Sequence, residues 1–265
     1  MRPLRPLLAA ALCLVAAAPA GAGDRIEVDL ELVLMADVSR SMSARELEIQ
    51  RRGYAAALDS DAVHAAVRSG MLGRIALAYV EWAGSQKVVI DWRLVETRAD
   101  LAAFAEELAS TISAPLQRTS ISEALVFGAA MIDGNAYAGL RQVIDISGDG
   151  PNNEGRPVTE ARDAVIARGI VINGLPLMTR DGVGAAWHLD DLDAYYAHCV
   201  IGGPGAFVLP VQDWADFTDA VRRKLVREIA ALPPPGPEQL TRVAGYDCLI
   251  GERMWQDRRR YWADP

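Results

Sequence analysis

The stretch Asp37-Val38-Ser39-Arg40-Ser41 sets one carboxylate and two hydroxyls at alternate positions, directly after the apolar run Leu32–Ala36. Two more oxygen donors occupy comparable places. Thr119 precedes Ser120 and Glu123, the opening of a predicted helix, and Asp149 lies in Ser147-Gly148-Asp149-Gly150 after the apolar run Val143–Ile146. All five are hard oxygen donors. A set without sulfur or imidazole suits Mg²⁺, with Mn²⁺ or Ca²⁺ as alternatives, and disfavours zinc or copper. Alone, D-x-S-x-S arises by chance in roughly one chain of this length in twenty, and Ser39, Ser41 and Thr119 each read singly as helix caps. The weight therefore rests on the elements that would bring them together.

Those elements alternate. Leu32–Ala36, Ile75–Val80, Val143–Ile146, Ile170–Ile172 and Phe207–Leu209 are short continuous apolar runs, the mark of strands covered on both faces. Between them lie helical patterns. Ser43 with Glu46 forms a capping box that opens a helix to about Leu58, and Ser120 with Glu123 repeats it before Ala124–Ile132. Further helices are expected near Asp100–Ser110, Val158–Arg168, Asp190–His198 and Asp213–Leu232. Val88–Val95 alternates with the period of a strand having one wetter face, and too few residues separate it from Ile75–Trp82 for a parallel crossover. The expected fold is α/β: a doubly wound, mostly parallel sheet of six strands, one antiparallel strand at its edge, helices on both faces. In such sheets ligands gather at the carboxyl ends of the strands, where the donors stand.

Placed on this frame, the chain resembles a von Willebrand factor A-type (integrin I-like) domain over about residues 26–232. Asp37, Ser39 and Ser41 match that family's D-x-S-x-S, Thr119 its lone threonine and Asp149 its second aspartate. The sequence around Glu81-Trp82, Ile144–Gly150 and Gly202–Phe207 resembles an exported bacterial subgroup. The resemblance implies a metal-ion-dependent adhesion site. Serine and threonine hydroxyls would hold the cation directly or nearly so, the aspartates would act largely through water, and a partner's acidic side chain would complete the octahedron. Neutral hydroxyls fill the shell without cancelling the cation's charge, so the cation still attracts an anion. The expected partner presents Asp, Glu or another carboxylate. Glu81 and Trp82, ending the second strand, are candidates for the ligand face.

Asp145 lies inside a core strand, where an unpaired carboxylate is expensive. The expectation is a structural role, paired with an arginine or with N–H groups of a neighbouring loop. Asn152 and Asn153 are expected to shape the loop after Asp149.

Composition narrows the setting. Of 265 residues 51% are hydrophobic and 23% charged, which excludes a disordered or collagen-like chain. A formal charge of −8, with no Lys/Arg stripe on any predicted helix, argues against nucleic acid. The same charge repels an acidic partner at long range, but screening removes that beyond about 8 Å, so specificity should come from contact. Residues 1–22 combine a basic start, a Leu/Ala-rich middle and small residues at A-x-A spacing, the pattern of a cleaved secretory signal. The apolar part is shorter than the roughly 20 residues of a membrane span. Cys13 follows Leu12 rather than a small residue, and Arg2 and Arg5 are not adjacent, so neither a lipid anchor nor a twin-arginine signal is expected. The domain is expected over residues 23–232, exported to the periplasm or secreted. Residues 233–265, a proline-rich linker and tail, are expected to pack back on it.

Without Cys13, Cys199 and Cys248 remain, an even pair in an oxidising compartment. A disulfide closing a loop of roughly 50 residues contributes about 4 kcal/mol in the loop-entropy model. The alternative is two unpaired buried thiols. His64, His188 and His198 are the only histidines, none beside a nucleophile motif; G-x-S-x-G does not occur, and no phosphate-cradling glycine loop follows the first strand. The chain is thus expected to bind rather than catalyse. The alternative is a metal-dependent hydrolase using the same strand-end site.

Overall fold

The computed structural model describes residues 25–179, 188–231 and 245–263. The expected signal (1–22) and the run Pro233–Pro237 lie outside them. In chain order the strands are β1 (Ile26–Val28), β2 (Leu30–Asp37), β3 (Ile75–Trp82), β4 (Gln86–Val95), β5 (Tyr137–Gly139), β6 (Gln142–Gly148) and β7 (Val171–Pro176). The helices are α1 (Ala44–Leu58), α2 (Asp61–Arg68), α3 (Arg98–Ser110), α4 (Ile121–Asp133), α5 (Val158–Ile166), α6 (Leu192–Tyr195), α7 (Phe217–Ile229) and α8 (Ile250–Ala263).

The main sheet runs β4-β3-β2-β6-β7, with β2 parallel to both neighbours and β4 antiparallel on β3. Strand order reverses at β2, so its carboxyl end opens on the crevice where α/β sheets bind ligands. Every residue of β2 is buried. Leu30, Leu32, Leu34 and Ala36 join the core beneath α1 and α7, whereas Val33 and Met35 join the core beneath α4. That alternation is the strand's period of two. Burial of each large side chain is worth about 1.5–3 kcal/mol, which fixes the register of the strand carrying Asp37.

The main sheet has five strands rather than six. Phe207–Leu209 lies beside β7 but meets it only at separate bridges, Gly174 with Val208 and Leu177 with Val211. Leu209 and Val211 do donate to Gly174 and Pro176, but Pro176 lacks the N–H that a continuous ladder needs between those bridges. A separate parallel pair, β1 with β5, was not anticipated. Neither was α2, which follows α1 after only Asp59 and Ser60.

The caps agree in part. Ser43 and Glu46 form the full box: the Ser43 hydroxyl accepts from Glu46 N–H and the Glu46 carboxylate accepts from Ser43 N–H at 2.7 Å. At α4 only half of it forms. Ser120 Oγ accepts from Glu123 N–H at 3.4 Å, but the Glu123 carboxylate turns to Arg156 at 2.8 Å.

Asp145 has a different partner from the one expected. Its carboxylate lies 2.5 Å from Lys224 Nζ, and the same ammonium lies 2.5 Å from Glu228 Oε1, all three side chains buried. One cation faces two carboxylates. Burial first, and then the charge of Asp145, push Glu228 up to about 8. The native Glu228 therefore keeps its proton through a range in which the unfolded chain has lost it. The stability this contributes is present at pH 4 and declines as pH rises toward about 8. Glu228→Gln should flatten the dependence of urea unfolding on pH between about 5 and 8, and an unchanged profile would contradict the assignment.

Cys199 and Cys248 are joined in a disulfide, Cα atoms 5.5 Å apart. Peptide mapping without reductant should recover the cross-linked pair; two free thiols would count against it.

Candidate functional site

The site is built where β2 ends. Asp37 is fully buried, and its Oδ1 accepts from Ser39 N–H at 2.7 Å. Ser39 Oγ lies 2.8 Å from Ser41 Oγ, and Ser41 Oγ donates to Asp149 Oδ1 at 2.7 Å. The Ser39 and Ser41 hydroxyls and the Asp149 carboxylate thus form one row of touching oxygens, with Asp37 joined to it through the Ser39 backbone, across two loops more than a hundred residues apart in sequence. Thr119 lines the same cleft, almost fully buried.

Backbone contacts hold the three loops in place. Leu116 N–H donates to Val38 C=O at 2.7 Å, Gly84 N–H to Gln117 C=O at 3.0 Å, and Ser120 N–H to Ala83 C=O at 3.1 Å. Asn153 clamps Thr119 from both sides: its Oδ1 accepts from Thr119 N–H at 3.1 Å and its own N–H donates to Thr119 C=O at 2.8 Å. Asn152 Oδ1 accepts from Ser122 N–H at 3.0 Å, anchoring the start of α4. The two asparagines shape the loop after Asp149 as expected, and Asn153 also sets the threonine loop. Arg118, next to Thr119, has φ +72°, a left-handed backbone unusual for a residue with a side chain. Such strain persists only where surrounding contacts enforce it.

The residues present fit a divalent cation. Asp37 Oδ2 is buried with no hydrogen-bond partner, an arrangement that costs free energy unless something positive completes it. Burial, and then the charge of Asp149, hold Asp37 well above the usual carboxylate range. Burial likewise raises Asp149 to about 6; the Ser41 hydrogen bond opposes that rise and the Glu46 charge adds to it. A cation reverses both shifts. Among the described residues no cluster of three or more His, Cys, Asp or Glu side chains has metal-binding geometry. Any ion here would therefore rest on hydroxyls mixed with two carboxylates.

The structure does not place Glu81 and Trp82 on an open ligand face. Trp82 is wholly buried and donates from Nε1 to Met35 C=O at 3.2 Å. Glu81 is 4% exposed and accepts from the Ser113 hydroxyl. As the last two residues of a strand interior to the sheet, both are covered. Trp82 instead floors the site, since a Cβ on Gly148 would lie 3.1 Å from its ring, 2.9 Å from Asp37 Oδ2 and 2.7 Å from Tyr196 Oη. Only glycine fits there. Tyr196 Oη, like Asp37 Oδ2, is buried without a partner. No spacing or motif in the sequence pointed to Tyr196.

A cleft of about 420 Å³ opens over these oxygens. Ser39, Ser41, Thr119 and Asp149 line one side, and Gly251, Met254 and Trp255 of α8 line another. The tail was expected to pack back on the domain, but not to reach the site. Among the described residues no helix is long and apolar enough to cross a membrane.

Residues 27–233 match a family model described as "Protein of unknown function (DUF1194)". No curated protein matches the chain by sequence. Among solved structures it is similar to proximal thread matrix protein 1 from the mussel byssus (13% identity, TM-score 0.56, 78% of this chain and 49% of that one). It is also similar to a von Willebrand factor type A protein from Catenulispora acidiphila (14%, 0.53, 76% and 43%). A third is the pilus adhesin SpaC from Lactobacillus rhamnosus GG (10%, 0.55, 78% and 32%). The chain spans about half the length of these proteins or less, and at such identities the likeness establishes the fold alone. On the family match the chain belongs to the DUF1194 family, and its fold is that of a von Willebrand factor A-type domain.

Proposed function

We propose that this domain is an exported, divalent-cation-dependent binding module that captures a carboxylate of a protein partner and carries out no catalysis of its own. The observation that supports it best is the row from Asp37 through Ser39 and Ser41 to Asp149, ending on a buried carboxylate oxygen without a partner. In this reading Ser39, Ser41 and Thr119 supply neutral oxygens, and Asp37 and Asp149 supply the negative charge that holds the ion. Mg²⁺ is the favoured ion, with Mn²⁺ or Ca²⁺ as alternatives. When bound, it supplies a Lewis-acidic position for an anionic oxygen. The chain's own residues fix the loops and keep Asp37 dry. Export to the periplasm or beyond agrees with a disulfide that an oxidising compartment maintains.

Immobilised protein incubated with envelope extract in Mg²⁺ should retain a partner that EDTA releases and an excess of free carboxylate competes away. Retention that ignores EDTA would count against the reading. So would turnover of generic ester or phosphate substrates that depends on Ser39 or Asp37, since that behaviour belongs to a hydrolase.

A further inference from the structure

Helix α8 lies beyond the residues matched by the family model, yet it borders the site. It is not a loose tail. Cys248 is bonded to Cys199, and Tyr246 Oη donates to the Asp191 carboxylate at 2.9 Å while its ring stacks on His198. Asn152 Nδ2 donates to Glu252 Oε1 at 2.7 Å. Gly251 is pressed so closely on the Asn152 carbonyl that a Cβ would lie 2.0 Å from its oxygen. These tethers attach α8 to the loop that carries Asp149 and to the segment that carries Cys199. The guanidinium of the strained Arg118 lies 3.8 Å from the Trp255 ring centroid, joining α8 to the threonine loop as well.

The cleft therefore has an oxygen-lined side, an apolar side from Met254 and Trp255, and two arginines, Arg40 and Arg118, among its lining residues. Met254, Trp255 and Arg118 are each only partly buried, so surface remains on them for contact. The volume falls within the roughly 300–1,000 Å³ of ligand-binding clefts. The oxygens line a cleft walled by α8 rather than a flat face, and such a cleft suits a narrow extended segment better than a broad partner surface.

We infer that α8 is a specificity wall of the binding site, and that the site takes a short acidic peptide segment in which an apolar residue adjoins the Asp or Glu. The carboxylate enters the oxygen-lined side, its charge matched by Arg40, while Arg118, 3.9 Å from Glu154 and stacked on Trp255, borders the cleft, and the apolar neighbour packs on Trp255 and Met254. The inference rests on the cation-dependent reading above.

The test uses the full mature chain and three peptides: acetyl-Leu-Asp-Leu-amide, acetyl-Gly-Asp-Gly-amide and acetyl-Leu-Asn-Leu-amide. Mg²⁺ affinity is first measured alone by calorimetry. Peptide binding is then measured in saturating Mg²⁺ by calorimetry and by tryptophan fluorescence. The Leu-Asp-Leu peptide should bind about tenfold more tightly than the Gly-Asp-Gly peptide, a difference of about 1.4 kcal/mol, and the asparagine peptide should not bind. Trp255→Ala should erase the leucine preference and Trp255→Phe should retain most of it. Equal affinity for the first two peptides, a preference unaltered in Trp255→Ala, or no peptide binding despite bound Mg²⁺ would each overturn the inference while leaving the cation reading in place. Absence of Mg²⁺ binding would overturn the cation reading itself, and the inference with it.

Discussion

Asp37→Ala should abolish Mg²⁺ binding and leave the domain folded. The carboxylate closes one end of the row: one oxygen fixes the Ser39 backbone and the other is buried without a partner. Loss of a mere outer-sphere partner of a metal typically costs 10–100-fold in affinity. Removing one of only two carboxylates should exceed that, placing binding beyond calorimetric detection. The fold should survive because Asp37, without a cation, is a buried group whose charged form is disfavoured by burial and by Asp149. Its removal takes away a cost along with one hydrogen bond. In EDTA the variant should melt at the wild-type temperature or slightly above it, the pattern of a residue kept for function at the expense of stability. Unchanged Mg²⁺ affinity would remove Asp37 from the site; a lost melting transition would make its role structural.

The largest expected loss of stability lies at Lys224. Its ammonium is the cation facing Asp145 and Glu228, with all three side chains buried at the junction of β6 and α7. Lys224→Met keeps the volume and removes the charge, leaving the buried Asp145 carboxyl without its cation. Breaking one partner from a buried pair costs about 3–5 kcal/mol. Urea unfolding at pH 7 should show a loss of that size. Asp145→Asn in the same background should restore part of it, because the stranded charge is then gone. A loss below about 1 kcal/mol would mean the triad is solvated or already neutral.

Much of this architecture is legible in the sequence where one physical signal dominates. β2, β3 and β6 are continuous apolar runs because both faces are covered, and the β3–β4 hairpin follows from a connection too short for any other geometry. The D-x-S-x-S residues can be placed together because strand ends in an α/β sheet converge on one edge. Other features depend on tertiary contacts that spacing does not encode. Phe207–Leu209 reads as a strand, but Pro176 in the facing β7 lacks a ladder donor and the pairing is reduced to bridges. Glu81 and Trp82 end a strand on the site's side of the sheet, yet an interior position buries them. The cation opposite Asp145 comes from a helix nearly eighty residues later, a pairing no local pattern signals. Helix α8 carries charged residues at six of its fourteen positions, and a disulfide and polar tethers join the packing of Tyr246, Cys248 and Ile250 in fixing its place.

Crystals soaked in Mn²⁺ and examined by anomalous scattering give the most direct test of the cation site. One strong peak should stand among the hydroxyls of Ser39, Ser41 and Thr119, with Asp37 and Asp149 beside it, and it should disappear in Asp37→Ala crystals. No peak at the end of β2, or a peak held by other side chains, would contradict the account.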